Sequence, residues 1–260
     1  MTLSELLPDG SAGDADYGRI GTGYSAYRRP EPAIAARILN ALGDAETVLN
    51  VGAGAGSYEP TDRRVTAVEP SATMRDQRPS ELPEAIDGVA EALPFDDGTF
   101  EASLATFTVH QWTDLAAGLA ELRRVTRGPV VILSCDPDDV ERFWLNEYAP
   151  GVLRTEARRY PPLGALADGL GGRMSIDSVP IPLDCVDGFG EAYYGRPESF
   201  LDSGARLANS AWSFVPDDVA AGYTEHLARD LESGEWDRRN GHLRTQAFFD
   251  GSLRLIVARP

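Results

Sequence analysis

Thr47-Val-Leu-Asn-Val-Gly-Ala-Gly-Ala-Gly-Ser57 is followed closely by Val65-Thr-Ala-Val-Glu69-Pro70. Thr47–Val51 favours a buried strand, and Gly52, Gly54 and Gly56 prevent it from continuing. Glycine at alternate positions removes Cβ atoms from one side of the turn, so a ligand can lie against bare backbone. Ser57 is then placed to open a helix whose free N–H groups face that ligand. The second apolar stretch ends in Glu69, where a carboxylate can accept both hydroxyls of a ribose. The alternative is a glycine-rich surface turn beside an exposed glutamate. The spacing to Glu69, with strand patterns on both sides, argues against it.

The chain has 260 residues, long enough for one large domain with a substantial core. It is 42% hydrophobic and 25% charged, which is ordinary for a globular protein. The formal net charge is −17, and every basic residue is arginine. Such a charge repels polyanions, and the Arg pairs are scattered, so nucleic acid is disfavoured as a partner. Cys135 and Cys185 have no metal-type spacing and are expected to be reduced thiols of a cytoplasmic protein. No stretch has the length of apolar sequence that a membrane span needs, and no basic-then-apolar leader is visible at the start.

Outward from the glycine turn, residues 1–19 are polar and the first dozen are expected to fray. A Tyr- and Arg-rich segment over 20–30 follows, either an arm packed on the domain or a lid. A helix is predicted from Pro32, with Ile34, Ile38, Leu39 and Leu42 on one face and Gly43 at its end. Ser71 is expected to cap a helix that runs to Arg78. Ala85–Ala90 and Phe100–Val109 read as strands three and four. Thr113 or Asp114 caps a helix with face Leu115, Leu119, Leu122 and Val125, and Pro129–Leu133 is a fully buried strand.

Beyond residue 135 the pattern loosens. Val140–Leu170 reads as helical with a break at Pro150-Gly151, and Met174–Leu183 as an edge strand because it carries prolines. An aromatic-rich stretch over 186–245 contains one clear amphipathic helix beginning at Pro216-Asp217-Asp218. Asp250-Gly251 reads as a hairpin-type turn into a last strand, Ser252–Ala258. This alternation predicts a Rossmann-like, doubly wound α/β fold: a mostly parallel seven-stranded sheet with one antiparallel strand near the C-terminus and a helical cap. The expected division of the 1–260 domain is an arm over 1–30, a cofactor-binding half over 31–135 and a substrate half over 136–260. The cap insertion is placed at about 186–247.

The order of elements resembles the class I S-adenosylmethionine-dependent methyltransferases, in particular the branch that modifies small molecules. The resemblance is carried by Val48-Leu-Asn-Val-Gly-Ala-Gly-Ala-Gly56, Val65-Thr-Ala-Val-Glu69-Pro-Ser71, Ala90-Glu-Ala-Leu-Pro-Phe95 and Val109-His-Gln-Trp112. It implies S-adenosylmethionine as cofactor, with Gly52, Gly54 and Gly56 against its methionine and ribose parts and Glu69 on the ribose hydroxyls. It further implies the Ala90 amide at adenine, Thr106 and Phe107 beside the methionine, and Tyr24 and Arg28 closing over the methionine carboxylate. The acid that the family places before that alanine is replaced by Val89, with Glu91 as the candidate substitute.

His110 is placed at a strand end beside the turn, either as a general base or as a residue that shapes the pocket. The cofactor's methyl is already activated, so the protein mainly has to align the acceptor and exclude water. Aromatic residues of 140–160 and 193–236 are the expected lid. They imply an uncharged or partly hydrophobic small-molecule acceptor; neither the atom methylated nor the oligomeric state is fixed. Two rival readings stand beside this one. A nicotinamide-dependent oxidoreductase would share the turn and acid but lacks the third pyrophosphate glycine. A non-catalytic cofactor binder is hinted at only by Val89. No metal site is expected.

Overall fold

The computed structural model describes Ala15 and residues 23–260. The expected fraying of the first residues and most of the arm fall outside them. The strands are β1 (Thr47–Val51), β2 (Arg64–Val68), β3 (Ala85–Ile86), β4 (Ala102–Thr106), β5 (Val130–Cys135), β6 (Arg173–Ser178), β7 (Ile181–Pro182), β8 (Phe248–Phe249) and β9 (Leu253–Arg259). Among the described residues, seven of them form one sheet in the order β3-β2-β1-β4-β5-β9-β6. Only β9 runs against its neighbours, β5 and β6.

The period-two pattern of the central strands divides the core into two layers. Val48, Ala102, Leu104, Val131, Leu133 and Val257 face one side, where Ile34, Ile38 and Leu42 of the Pro32–Leu42 helix cover them. Leu49, Val51, Ala105, Val130, Ile132 and Ile256 face the other, under Leu119 and Leu122 of the helix Leu115–Val125 and Leu166 and Leu170 of the helix Leu163–Leu170. The doubly wound expectation therefore holds. Asp114 caps its helix, accepting from the Ala117 N–H at 3.0 Å, and Ser71 caps through the Met74 N–H at 3.3 Å.

Several local expectations fail. No helix opens at Ser57: residues 52–63 join β1 to β2 as a chain of turns. Tyr58 sits at φ 62, which breaks a right-handed helix, and Pro60 lacks an N–H to continue one. The helix after Ser71 stops at Arg75 rather than Arg78, the third strand shrinks to Ala85–Ile86, and the fourth ends at Thr106. The stretch after Val140 breaks at Pro150 as expected, but only a 3-10 turn, Trp144–Glu147, precedes that break, and Pro161-Pro162 adds a second one between the helices Pro150–Arg159 and Leu163–Leu170. The predicted edge strand Met174–Leu183 also divides. β6 is indeed an edge, but Pro180 interrupts it, and β7 pairs with β8 in a separate ribbon. Asp250-Gly251 is therefore a crossing between two sheets and not a hairpin. Residues 183–247 leave and return through that ribbon, where the Leu183 N–H donates to the Ala247 carbonyl at 3.1 Å.

Candidate functional site

Three strand ends meet at one cleft, where the chain order reverses between β1 and β4. β1 delivers Gly52–Ala55, β2 delivers Glu69 and Pro70, and β4 delivers Thr106–Thr108. Tyr24, Arg28, Met74, Gly88–Glu91, Gln111 and Trp112 complete a wall around about 850 Å³, open mouth included.

Glu69 is fixed by backbone. One carboxylate oxygen accepts from the Gly54 N–H at 2.8 Å and the other from the Ser71 N–H at 2.9 Å. The side chain is 7% exposed, and burial pushes its carboxyl above the usual range against the pull of those amides and of Arg75 and Arg78. Each oxygen keeps a lone pair for another donor.

The glycines have different jobs. A Cβ on Gly52 would lie 1.9 Å from Thr108 Oγ1, and one on Gly56 would lie 2.2 Å from Leu82 Cδ1. Both are demanded by the protein's own packing. At Gly54 a Cβ would meet only Met74 Cε at 3.4 Å, so the bare backbone expected there borders open cleft. Gly56 does not line the cleft at all.

Beneath the turn is a buried ion pair that sequence reading missed. Arg78 Nη2 donates to both oxygens of Glu59, at 2.8 and 2.9 Å, and the two side chains are 4% and 0% exposed. Asn50, inside β1, donates to Glu59 at 3.0 Å, and Arg78 Nη1 donates to the Gly54 carbonyl at 3.3 Å. The loop that replaces the expected helix is thus held by charge rather than by a ladder of backbone bonds.

Arg28 is also pinned. Its Nε donates to Asp187 at 2.6 Å, and the second oxygen of Asp187 accepts from the Tyr58 hydroxyl at 2.8 Å. The guanidinium lies 4.9 Å from the centre of the Phe107 ring. Phe107 itself holds φ 52, a conformation that a bulky residue adopts only when its surroundings impose it.

Tyr24, Arg28 and Phe107 also belong to a second chamber, of about 450 Å³ with its open mouth included, whose other walls are His110, Glu156, Arg159, Tyr160, Phe189 and Ala208–Ala211. His110 is here and not in the cleft. Burial, with Arg159 and Arg28 adding to it, brings its imidazole down to about 3, so it is uncharged near neutrality. Glu156 moves the other way: burial lifts it to about 7. Burial also raises Cys135, leaving an inert thiol. Most of the aromatics expected to form a lid are instead core. Tyr194, Phe200 and Trp236 have no exposed surface, and the Trp144 ring packs edge-on to both Phe200 and Trp236.

The sequence profile described as a methyltransferase domain matches residues 49–132. A crystal structure from Anabaena variabilis, described as a methyltransferase from an antibiotic biosynthesis pathway, superposes with a TM-score of 0.82 at 28% identity, covering 89% of this chain and 98% of its own. The chain carries a methyltransferase domain on the fold of the class I S-adenosylmethionine-dependent methyltransferases. Two further crystal structures share the fold alone. One is a Thermotoga maritima protein described as a SAM-dependent methyltransferase and possible histamine N-methyltransferase, with TM-score 0.53, 14% identity and coverage of 94% of this chain and 97% of its own. The other is a Bacillus halodurans methyltransferase, with TM-score 0.52, 16% identity and coverage of 86% and 97%. No curated protein sequence matches the chain significantly.

The residues present in the methyltransferase fit its cofactor. Gly54 borders the cleft with bare backbone, Glu69 is preset by two amides, and Gln111, 7% exposed, lines the cleft with an amide that has no partner among the described residues. Of the residues singled out from sequence, Tyr24, Arg28, Gly52, Gly54, Glu69, Ala90, Glu91, Thr106 and Phe107 line this cleft. Glu91 has a further duty, since one of its oxygens accepts from the Thr113 N–H at 2.7 Å and the Asp114 N–H at 3.1 Å, holding the start of the Leu115–Val125 helix. Gln111, Arg78, Glu59, Asp187 and Glu156 were not found from sequence. Only Gln111 carried a signal, its place in Val109-His-Gln-Trp112.

Among the described residues no helix is long and apolar enough to cross a membrane.

Proposed function

We propose that the methyltransferase transfers its methyl group to a small-molecule acceptor seated in the second chamber. The observation that carries this reading is the shared wall: Tyr24, Arg28 and Phe107 border both the cleft and a chamber of about 450 Å³. A wall of three shared residues would put a small ligand of the chamber next to one in the cleft, and a chain with net charge −17 is a poor host for a nucleic acid.

The cofactor supplies a sulfonium whose methyl group needs no further activation. In this reading Glu69 takes the ribose hydroxyls and the turn at Gly52–Gly54 lies against the neighbouring backbone of the ligand. Ala90 and Glu91 meet the adenine end. Thr106, Phe107 and Gln111 flank the methionine end, where Arg28, already oriented by Asp187, faces the carboxylate with its remaining donors. The rest of catalysis is alignment across the shared wall and exclusion of water. His110, uncharged and tucked 4.7 Å from the Tyr160 ring, shapes the chamber and accepts hydrogen bonds better than it serves as a base. Both cysteines are free and buried, which fits a reducing compartment, and we place the protein in the cytoplasm.

The test is formation of S-adenosylhomocysteine from S-adenosylmethionine with panels of small molecules, folded proteins and RNA. Turnover restricted to small molecules is the expected outcome. Turnover only with a macromolecule would overturn the reading.

A further inference from the structure

We propose that the acceptor is an amine and that Glu156 both receives it and takes its proton; this rests on the second chamber being the acceptor site. Glu156 projects from the helix Pro150–Arg159 into that chamber. Among the described residues it has neither a hydrogen-bond nor an ion-pair partner, and its carboxylate is not among the solvent-inaccessible orphan atoms, so it stays open to a ligand. Such a carboxylate is costly to keep and is matched best by a cation or a strong donor.

The neighbouring charges are occupied elsewhere. Arg159 Nη1 donates to Ser210 Oγ at 2.9 Å, and its guanidinium lies 4.8 Å from the centre of the Phe214 ring. Arg28 is paired through Nε with Asp187, and its remaining donors are the ones assigned to the cofactor carboxylate. Asn209 donates its amide hydrogens to the Gly188 and Ala205 carbonyls at 3.0 and 2.9 Å, which leaves its oxygen as an acceptor. Glu156 and the Asn209 oxygen thus stand as acceptors in a chamber that the two guanidiniums also border. A carboxylic acid would meet ionised Glu156 with like charge, and an alcohol would offer it a single neutral donor. An ammonium ion offers it charge and several donors at once.

The titratable groups around Glu156 are Arg159, Arg28, Tyr160, Cys135 and Glu191. The two arginines lower its affinity for a proton, but burial outweighs them and holds it at about 7, where it can exchange a proton near neutrality. The acceptor enters as an ammonium ion and gives one proton to Glu156. The freed nitrogen lone pair forms the new N–C bond as the S–C bond breaks, and the electron pair of that bond returns to sulfur. The N-methylammonium product leaves, and the proton on Glu156 passes to solvent.

The experiment measures S-adenosylhomocysteine release by the full-length protein with primary and secondary amines, each matched to an alcohol and a carboxylate of the same skeleton, 2-phenylethylamine, 2-phenylethanol and 3-phenylpropanoate among them. Amines are expected to be methylated. Glu156→Gln is expected to lower kcat/KM by about 100-fold or more, to abolish the rise in rate through pH ~7 and to leave S-adenosylhomocysteine affinity within about two-fold, with Glu156→Asp recovering part of the rate. Methylation confined to alcohols or carboxylates, no amine accepted, or a Glu156→Gln enzyme within about three-fold of wild type would overturn the amine assignment. Wild-type protein that fails to bind S-adenosylhomocysteine, or that methylates only macromolecules, would instead remove the reading on which it rests.

Discussion

Gly52 and Gly54 sit two residues apart, yet their substitution by alanine should have opposite signatures. At Gly52 the new methyl would strike Thr108 on a backbone already at φ 66, so Gly52→Ala should lose several kcal/mol, about the cost of a severe core clash plus left-handed strain. At Gly54 there is room beside Met74, so Gly54→Ala should fold with a loss of roughly 1–2 kcal/mol from its φ of 52 while binding S-adenosylhomocysteine more weakly. Thermal melts beside calorimetric titrations separate the two. Glu156 makes a second prediction at this scale. Its carboxyl is raised from an ordinary 4.5 to about 7, so the folded apoprotein holds a proton there that the unfolded chain releases. Stability from this group is complete below pH 4.5 and declines as pH rises toward 7. Glu156→Gln should therefore match wild type in stability near pH 4.5 and exceed it above pH 7, by up to about 3 kcal/mol. That Glu69, Gly52 and Gly54 meet at one cleft was legible because they sit at the ends of two adjacent apolar runs, whereas Gly56 was misplaced there. Glu156 was not legible: on a helix with Arg154, Arg158 and Arg159 it reads as part of a solvated charged face, and only the chamber shows otherwise.

The loop between β1 and β2 shows where local reading runs out. Gly-Ser after a strand signals a helix start, but Tyr58 turns left-handed and Pro60 withholds a donor, so the turn is organised by Glu59 and Arg78 instead. Those partners lie 19 residues apart and Asn50 is a further contributor, a link that no periodicity announces. Arg78→Met should leave Glu59 with a buried, uncompensated charge and cost about 3–5 kcal/mol by denaturant titration. Because Arg78 also holds the Gly54 carbonyl, cofactor affinity should fall with it. If stability and affinity were unchanged, the pair would have no part in shaping the turn. The strands, by contrast, were readable: β1, β5 and β9 fall within a few residues of their apolar runs, because burial on both faces along most of their length leaves a continuous signal.

At the scale of the molecule, Asp187 ties three segments that sequence order keeps far apart. It accepts from Arg28 of the arm and from Tyr58 of the turn, while Glu31 accepts from the Val186 N–H at 2.9 Å. Asp187→Asn should loosen this junction: hydrogen exchange at residues 24–28 and 186–190 should quicken, and KM for S-adenosylmethionine should rise more than kcat falls. Unaltered exchange would show that the three segments are held by packing alone. The sheet and its cleft were legible from the alternation of patterns, whereas the chamber was not, because its walls are drawn from the arm, the segment just after β4, the helix Pro150–Arg159 and the cap. The central claim is that Glu69, preset by the Gly54 and Ser71 amides, grips the cofactor. Calorimetric titration of S-adenosylhomocysteine into wild type and Glu69→Ala tests it most directly. Removing a charge-assisted pair of bonds should weaken binding by at least about ten-fold while the wild type binds one ligand per chain. Equal affinity in the two proteins would contradict the account.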